Sequence, residues 1–304
     1  MSKPIFVQMV GLVGSGKSYH AVKLSEEINA TVFSSDALRE EMFGDINDQD
    51  HNSEVFEELH KRIKDCLKSG KNAIYDATNI SSKKRRAFIQ ELSKIIDCEK
   101  RCVIMATPYE QCIANNASRD RKVPEEVIDR MYRNWDTPYW FEGWDDIEIV
   151  YWEDTEDNDS VWRWLNEHMD YGQDNPHHTM TLGQHCWETS GTLADEDPLN
   201  GVMRAGLLHD CGKPYVKTFT NAKGEVTEIA HYYGHEHVGA YDVLFYDCGA
   251  SNPLDVSVLI DLHMFPYVWE KDNNTKLRNK YKKIWGDELY GLVMKLHEAD
   301  KSAH

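Results

Sequence analysis

The chain has 304 residues, 41% hydrophobic and 28% charged, which is enough to bury the cores of two ordinary domains. Its formal net charge of −18 excludes a protein that coats nucleic acid with a broadly basic surface, though not one that grips an end through a local basic patch. No apolar run is long enough to cross a bilayer, no signal peptide precedes the first strand, and 7 cysteines without a C-x-x-C pair read as free thiols of a cytoplasmic protein.

The first element is an apolar strand, Ile5 to Val10. Gly11-Leu12-Val13-Gly14-Ser15-Gly16-Lys17-Ser18 follows, and then a helix-compatible stretch from Tyr19 to Ile28. Strand, glycine loop and helix in that order make a phosphate cradle. Gly11, Gly14, Ser15 and Gly16 let the backbone bend and aim N–H groups at a triphosphate, and the new helix adds its positive end. Lys17 reaches the β- and γ-phosphates and the Ser18 hydroxyl holds magnesium, so ATP with Mg2+ is the expected ligand.

A short strand, Ala30 to Ser35, ends at Asp36-Ala37-Leu38-Arg39. In a parallel sheet this turn lies at the carboxyl edge, beside the phosphates. There Asp36 can take a proton from an acceptor hydroxyl and Arg39 can hold an acceptor phosphate in a bidentate fork. An N-cap aspartate with an exposed arginine is the competing reading. Ser53 to Lys68 reads as a helix stopped by Gly70. Asn72 to Tyr75 reads as a strand ending in Asp76-Ala77-Thr78-Asn79, where the carboxylate can organise a magnesium shell or the acceptor site.

The next helix carries Lys83, Lys84, Arg85 and Arg86, either a solvated face or a groove for a phosphate backbone. After a strand from Arg101 to Ala106, the basic run Arg119-Asp120-Arg121-Lys122 precedes Pro124, which suits the first turn of a helix. That run has the character of a lid that lowers an arginine onto a transferring phosphate. Ile147 to Tyr151 is the fifth strand, and five strands alternating with helices make an α/β domain with a doubly wound parallel sheet.

Residues 5 to 151 resemble the kinase domain of bacteriophage-type polynucleotide 5′-kinases. The resemblance rests on the P-loop, Asp36 and Arg39 in D-x-x-R, Asp76-x-Thr78-Asn79, and Asn116-x-x-Arg119 before Val123-Pro124. It implies Asp36 as general base, Arg39, Asp76, Thr78 and Asn79 at the substrate, and Arg119 as the lid arginine. Asn115 stands where the family often has arginine, and the lid is slightly shorter, so Arg121 is the alternative to Arg119.

The run from Glu142 to Asp159 is strongly acidic and reads as a solvated boundary, and Ser160 to Met169 as a short amphipathic helix. The division expected is a kinase-like domain over 1–152, a linker and helix over 153–170, and an all-α domain over 171–304. Beyond Arg163 lie 11 of the 14 histidines. His185 falls in a helical stretch, His209-Asp210 ends the apolar helix Val202 to Leu208, His235 follows Gly234, His263 ends another apolar run, and Asp300 lies in a final helix from Glu288 to Lys301. Brought together, these side chains suit one or two divalent transition-metal ions without a thiolate.

This second segment resembles the HD-domain phosphohydrolases. His177-His178, Leu207-Leu208-His209-Asp210-x-Gly212-Lys213-Pro214 and Tyr233-Gly234-His235-Glu236 also look like the HD domain of tRNA CCA-adding enzymes. The resemblance assigns His185, His209, Asp210 and Asp300 as the minimal ligands, with His235 and His263 completing a two-metal site. His231 and His237 compete for those last places. Two ions would promote in-line attack at phosphorus, with Lys213 neutralising the substrate phosphate.

A phosphoryl-donor site and a phosphoryl-removal site on one chain point to an end-healing enzyme. It would act on nucleic-acid ends, RNA rather than DNA, with sealing left to a separate RNA ligase. A metabolic nucleoside kinase fused to a nucleotide phosphohydrolase, and a non-catalytic ATP-binding HD sensor, are the alternatives.

Overall fold

The computed structural model describes residues 3–152, 161–176, 179–246 and 248–303. The part of the acidic run from residue 153 onward and the pair His177-His178 lie outside the described residues. The chain divides into two compact units: Met1–Met131 with Pro138–Asp154, and Tyr132–Thr137 with Thr155–His304. No helix among the described residues is long and apolar enough to cross a membrane.

The first unit is a five-stranded, all-parallel sheet in the order β2-β3-β1-β4-β5. The strands are β1 (Ile5–Val10), β2 (Ala30–Ser34), β3 (Asn72–Asp76), β4 (Glu99–Ala106) and β5 (Asp146–Tyr151). The helices of this unit are α1 (Lys17–Glu27), α2 (Ser35–Phe43), α3 (Asn52–Lys68), α4 (Ser82–Ile95), α5 (Tyr109–Ala117) and α6 (Glu125–Tyr132). Central β1 is apolar at nearly every position because helices cover both faces of a parallel sheet. Val7 and Met9 pack with Ala21 of α1, while Phe6 on the opposite face meets the ring of Phe88 on α4. Strand order reverses between β1 and β4, and it is at this switch point, at the carboxyl ends of the strands, that such sheets bind ligands.

The helix from Ser82 corrects one expectation. Arg85 is fully buried and forks onto Glu142 (Nε and Nη2 to the two carboxylate oxygens at 2.8 and 2.6 Å), and Trp144 donates to the same carboxylate. A guanidinium desolvated and paired in this way is a structural tie, so the four-residue basic cluster is not a continuous phosphate groove.

The second unit is helical, with one added hairpin. Its helices are α7 (Val161–His168), α8 (Leu182–Gly191), α9 (Val202–Leu208), α10 (Lys213–Val216), α11 (His235–Asp242), α12 (Pro253–Leu262), α13 (Phe265–Lys271) and α14 (Thr275–Ser302). α14 is broken at Gly286, whose φ of 83° is non-helical. Strands β6 (Thr218–Thr220) and β7 (Val226–His231) pair antiparallel around the Asn221 to Gly224 turn. Val202, Leu207, Val258, Leu259, Ile260, Val293 and Leu296 make the core. Its centre is polar where α8, α9, α11, α12 and α14 converge. A Cβ on Gly212 would lie 2.2 Å from the carbonyl oxygen of His235, so glycine there lets the start of α11 close on the His209-Asp210 corner.

Candidate functional site

In the first unit the loop from Gly11 to Lys17 wraps the N-terminal end of α1. Gly14 and Gly16 have φ of 83° and 86°, and a Cβ on Gly14 would meet the Cys112 carbonyl oxygen at 2.2 Å. Both counts require glycine at 14. Two residues to which the sequence reading gave no such role hold this loop: Thr107 Oγ1 donates to Ser15 O at 2.9 Å, and Asn115 Nδ2 to Gly14 O at 2.8 Å. Lys17 is buried, and its ammonium donates to Leu12 O at 2.6 Å. Burial lowers its pKa, against the opposing pull of Asp76. Ser18 Oγ donates to Asp76 Oδ2 at 2.7 Å, and burial pushes that carboxyl up while the Ser18 hydrogen bond opposes it. A hydroxyl and a carboxylate side by side are the hard oxygen donors magnesium takes, so this corner fits the ion expected with ATP.

Asp36 lies in the first turn of α2, at the edge of the sheet, and two arginines grip it. Arg39 Nη1 donates to Oδ1 at 2.9 Å and Arg121 Nη1 to Oδ2 at 2.6 Å. Arg39 is buried and spends Nη2 on Asn52 Oδ1. In this arrangement Arg39 orients the carboxylate and does not present an open fork to an acceptor phosphate. Asn116 clasps both ends of the lid, accepting from Val123 N and donating to Val123 O, which brings Arg121 onto Asp36 while Arg119 stays exposed. Asn79 is spent on the backbone, donating to Met9 O at 2.8 Å, and Thr78 O accepts from Gly11 N at 3.1 Å. These two residues brace the entry to the P-loop.

In the second unit His185, His209, Asp210, His235, His263 and Asp300 come from five helices and their ends to one buried centre. His185 Nε2 and His209 Nε2 are 3.1 Å apart, and His235 Nε2 and His263 Nε2 are 3.2 Å apart. Each ring places Nδ1 against a backbone carbonyl: Ala303 for His185, Gly206 for His209, Tyr232 for His235 and Ile260 for His263. A proton on Nδ1 satisfies each carbonyl and turns the Nε2 lone pair inward, the arrangement that orients imidazole ligands. Two facing lone pairs repel unless a proton or a metal cation sits between them. Ligands on one ion at about 2.05 Å stand roughly 2.9 Å apart at a right angle and roughly 3.4 Å apart in a tetrahedron. The observed separations fall between those limits, so both pairs fit a divalent metal.

Asp210 spans the two pairs. Its Oδ2 lies 3.4 Å from His209 Nε2 and 3.6 Å from His185 Nε2, and its Oδ1 lies 3.2 Å from His235 Nε2. Asp300 Oδ1 joins the first pair, 3.0 Å from His185 Nε2, and Asp300 Oδ2 accepts from the Tyr267 hydroxyl at 2.8 Å. Lys213 is buried against Asp210 Oδ2 at 2.6 Å and donates to Gln173 Oε1 at 2.8 Å. Burial works against charge on Asp210, but Lys213 and His209 outweigh it and hold the carboxyl well below its usual range. Burial likewise opposes a proton on His209, yet Asp210 and Asp300 hold its pKa up to about 10, while burial takes His263 down to about 4. His231 and His237 stand outside this cluster: His231 stacks on Tyr233, and His237 Nδ1 pairs with Asp261 at 2.8 Å.

Residues 6–138 match the profile of the AAA domain family and residues 182–302 that of the HD domain family. The chain therefore joins a kinase-like P-loop domain to a helical HD domain. Among curated proteins, the L-seryl-tRNA(Sec) kinase of Methanococcus maripaludis is 25% identical over 151 residues, 48% of this chain and 58% of that protein. The chain thus matches a little over half the length of that relative. Among solved structures, a chain of the Pnkp1/Rnl/Hen1 RNA repair complex aligns with 22% identity and a TM-score of 0.39, covering 43% of each chain. A gluconokinase from Sinorhizobium meliloti aligns with 16% identity and a TM-score of 0.35, covering 50% of this chain and 84% of that one.

Proposed function

We propose that the chain heals broken nucleic-acid ends. In this reading the P-loop unit moves the γ-phosphate of ATP to a 5′-hydroxyl, and the HD unit removes a 2′,3′-cyclic or 3′-phosphate. The observation that carries the reading is Asp210 lying between two imidazole pairs, on the same chain as a P-loop whose sheet edge presents Asp36. Donor and removal chemistry on one polypeptide match the two kinds of end that RNA cleavage leaves, and sealing falls to a separate ligase.

In the first unit Lys17 takes the β- and γ-phosphates, and Ser18 and Asp76 take magnesium. Asp36 receives the proton of the acceptor hydroxyl once Arg121 has swung from Oδ2 toward the transferring phosphate, with Arg39 keeping the carboxylate in place. In the second unit, one or two transition-metal ions held by the six ligands would supply Lewis acidity at phosphorus. The carbonyl contacts at Nδ1 fix the four rings, and Lys213 balances Asp210 until an anionic substrate draws on the same positive charge.

A second reading of the acceptor has one observation in its favour, the relation to a kinase of seryl-tRNA. There the acceptor would be a hydroxyl carried on the 3′ end of a tRNA. The experiment that separates the readings offers the protein labelled ATP with a 5′-hydroxyl RNA, a seryl-tRNA and free nucleosides. In parallel it offers RNA ending in 2′,3′-cyclic and 3′-phosphate across a panel of divalent metals. Label on the 5′ end together with loss of the terminal phosphate is the expected outcome. Transfer only to seryl-tRNA or only to nucleosides would refute the end-healing reading.

A further inference from the structure

The segment Tyr132–Thr137 separates α6 from the rest of the first unit in sequence, yet it is built into the second unit. Trp135 is fully buried, with its ring edge-on to Tyr241 of α11 at 4.9 Å. The Tyr132 hydroxyl donates to Asp242, and Arg133 lies over the ring of Tyr215. Trp135 Nε1 donates to Thr137 Oγ1, Thr137 Oγ1 donates to Ser257 Oγ at 2.8 Å, and Ser257 Oγ donates to Ala240 O at 2.7 Å. This one line of hydrogen bonds ties the segment to α12 and then to α11.

A second tie runs beside the metal ligands. Asp261 is buried. Its Oδ2 accepts from the backbone N of Thr137 at 3.0 Å, and its Oδ1 pairs with His237 Nδ1 at 2.8 Å. His237 is two residues beyond His235, and Asp261 is two residues before His263. Helices α11 and α12 are therefore joined by two adjacent rungs, the His237–Asp261 pair and the His235–His263 pair.

Asp136 also lies within ligand distance of His237 and Asp261. That group differs from the HD centre in one respect. Asp261 and His237 satisfy each other as acceptor and donor, with no facing lone pairs for an ion to relieve.

We infer that Tyr132–Thr137 is a strap belonging to the HD unit, and that through Asp261 it positions the His235–His263 pair. The inference rests on the two-metal reading of the HD centre. Asp261 and Thr137 are positioning residues and touch no substrate. Because ligand separation at a metal is set to a few tenths of an ångström, loosening the outer rung shifts the inner one, and the ion sharing His235 and His263 is the one affected.

The test is metal binding by the full chain, stripped and then titrated with Mn2+, with bound metal counted per chain and hydrolysis of a 3′-terminal phosphate followed alongside. The wild type is expected to take two equivalents. Asp261→Ala should keep the first equivalent unchanged and bind the second about tenfold more weakly, at the lower end of what outer partners of a metal ligand contribute. Asp261→Asn, which can still accept from Thr137 N and can donate to His237 Nδ1 once that ring carries its proton on Nε2, should recover most of that affinity, a rescue that general loss of fold would not give. In a His263→Ala background, Asp261→Ala should add no further loss, because both act on one ion.

Equal affinity of wild type and Asp261→Ala for both equivalents would overturn the strap inference. So would a third equivalent in the wild type that Asp261→Ala lacks, since the outer rung would then be a metal site itself. A wild type that takes only one equivalent would instead overturn the two-metal reading on which the inference stands.

Discussion

Replacing Asp210 tests the centre and the fold together, and the two effects can be separated. Asp210 and Lys213 are both buried and 2.6 Å apart. In Asp210→Ala the Lys213 ammonium loses this carboxylate and keeps, among its described neighbours, the neutral acceptor Gln173 Oε1 and the ring of Tyr232, 5.3 Å away. Removing one partner of a buried ion pair costs about 3–5 kcal/mol, because the other charge stays desolvated without that counter-charge. For a unit of roughly 150 residues this lowers the melting temperature by about 6–20 °C. Scanning calorimetry on metal-stripped protein should show that fall in the transition of the second unit, with the first unit unmoved. The variant Asp210→Asn/Lys213→Met removes both charges at similar volume. It should recover most of the loss, less about 1 kcal/mol for the donor that Gln173 Oε1 forfeits. Both variants should lose hydrolysis of a terminal phosphate and keep ATP-dependent transfer. An Asp210→Ala transition matching the wild type, or a double variant no more stable than the single one, would refute the argument from a desolvated Lys213.

Three further outcomes are expected. Arg39→Ala should lower kcat for 5′-phosphorylation at least tenfold, because Asp36 loses the group that orients it, leaving KM for the oligonucleotide little changed; a raised KM at constant kcat would return Arg39 to the acceptor phosphate. After complete chelation, Mn2+ or another transition metal should restore hydrolysis and Mg2+ alone should restore transfer, since one site is rich in imidazole and the other in oxygen; equal rescue of both by Mg2+ would refute that distinction. His60 stacks on Phe88 at 4.0 Å, and burial holds its pKa down to about 4 against an ordinary 6.5. The unfolded chain therefore binds more protons between those values, and the neutral ring's contribution, complete above pH 6.5, is lost as pH falls toward 4. That contribution is on the order of 3 kcal/mol. His60→Phe should flatten the dependence of first-unit stability on pH across that window, and an unchanged slope would show that His60 is not its source.

The parts of the sites that were legible in the sequence are those whose chemistry is local. The P-loop needs strand, glycines, lysine and helix in immediate succession, and each occupies the expected place. His209-Asp210 at the end of an apolar helix, with Gly212 after it, announced a polar centre because so little else explains imidazole and carboxylate there. The residues whose surroundings the sequence did not show are those whose partner is remote. Arg85 looked solvated because Glu142 lies 57 residues away. Arg39 looked free because Asn52 and the grip on Asp36 appear only once α2 and α3 pack. The strap had no periodicity to show it, and the boundary drawn at 152 assigned it to the first domain. The hairpin was readable and was passed over: Asn221-Ala222-Lys223-Gly224 between two alternating runs is a turn signal.

On the proposed function, a chain with a formal charge of −18 must still draw a phosphate to two places. The structure shows the local cations paired with carboxylates. Arg39 and Arg121 share Asp36, and Lys213 is held by Asp210. For Arg39 and Lys213, which are buried, the pairing meets the desolvation problem of the free protein, for a buried cation without a counter-charge is costly. Each pairing also sets the condition for binding, because an incoming phosphate must offer these cations at least what the carboxylate offered. For Arg121 the exchange would free Oδ2 of Asp36, so that on the proposed mechanism arrival of the anion and release of the base are one event. For Lys213 the exchange leaves Asp210 facing His209 and His235, the imidazoles that would share its metals. In both units the carboxylate that restrains the cation is the one that the proposed chemistry would require next. Coupling of this kind resists a neutral ligand of the right shape, which can fill the space but cannot displace the carboxylate.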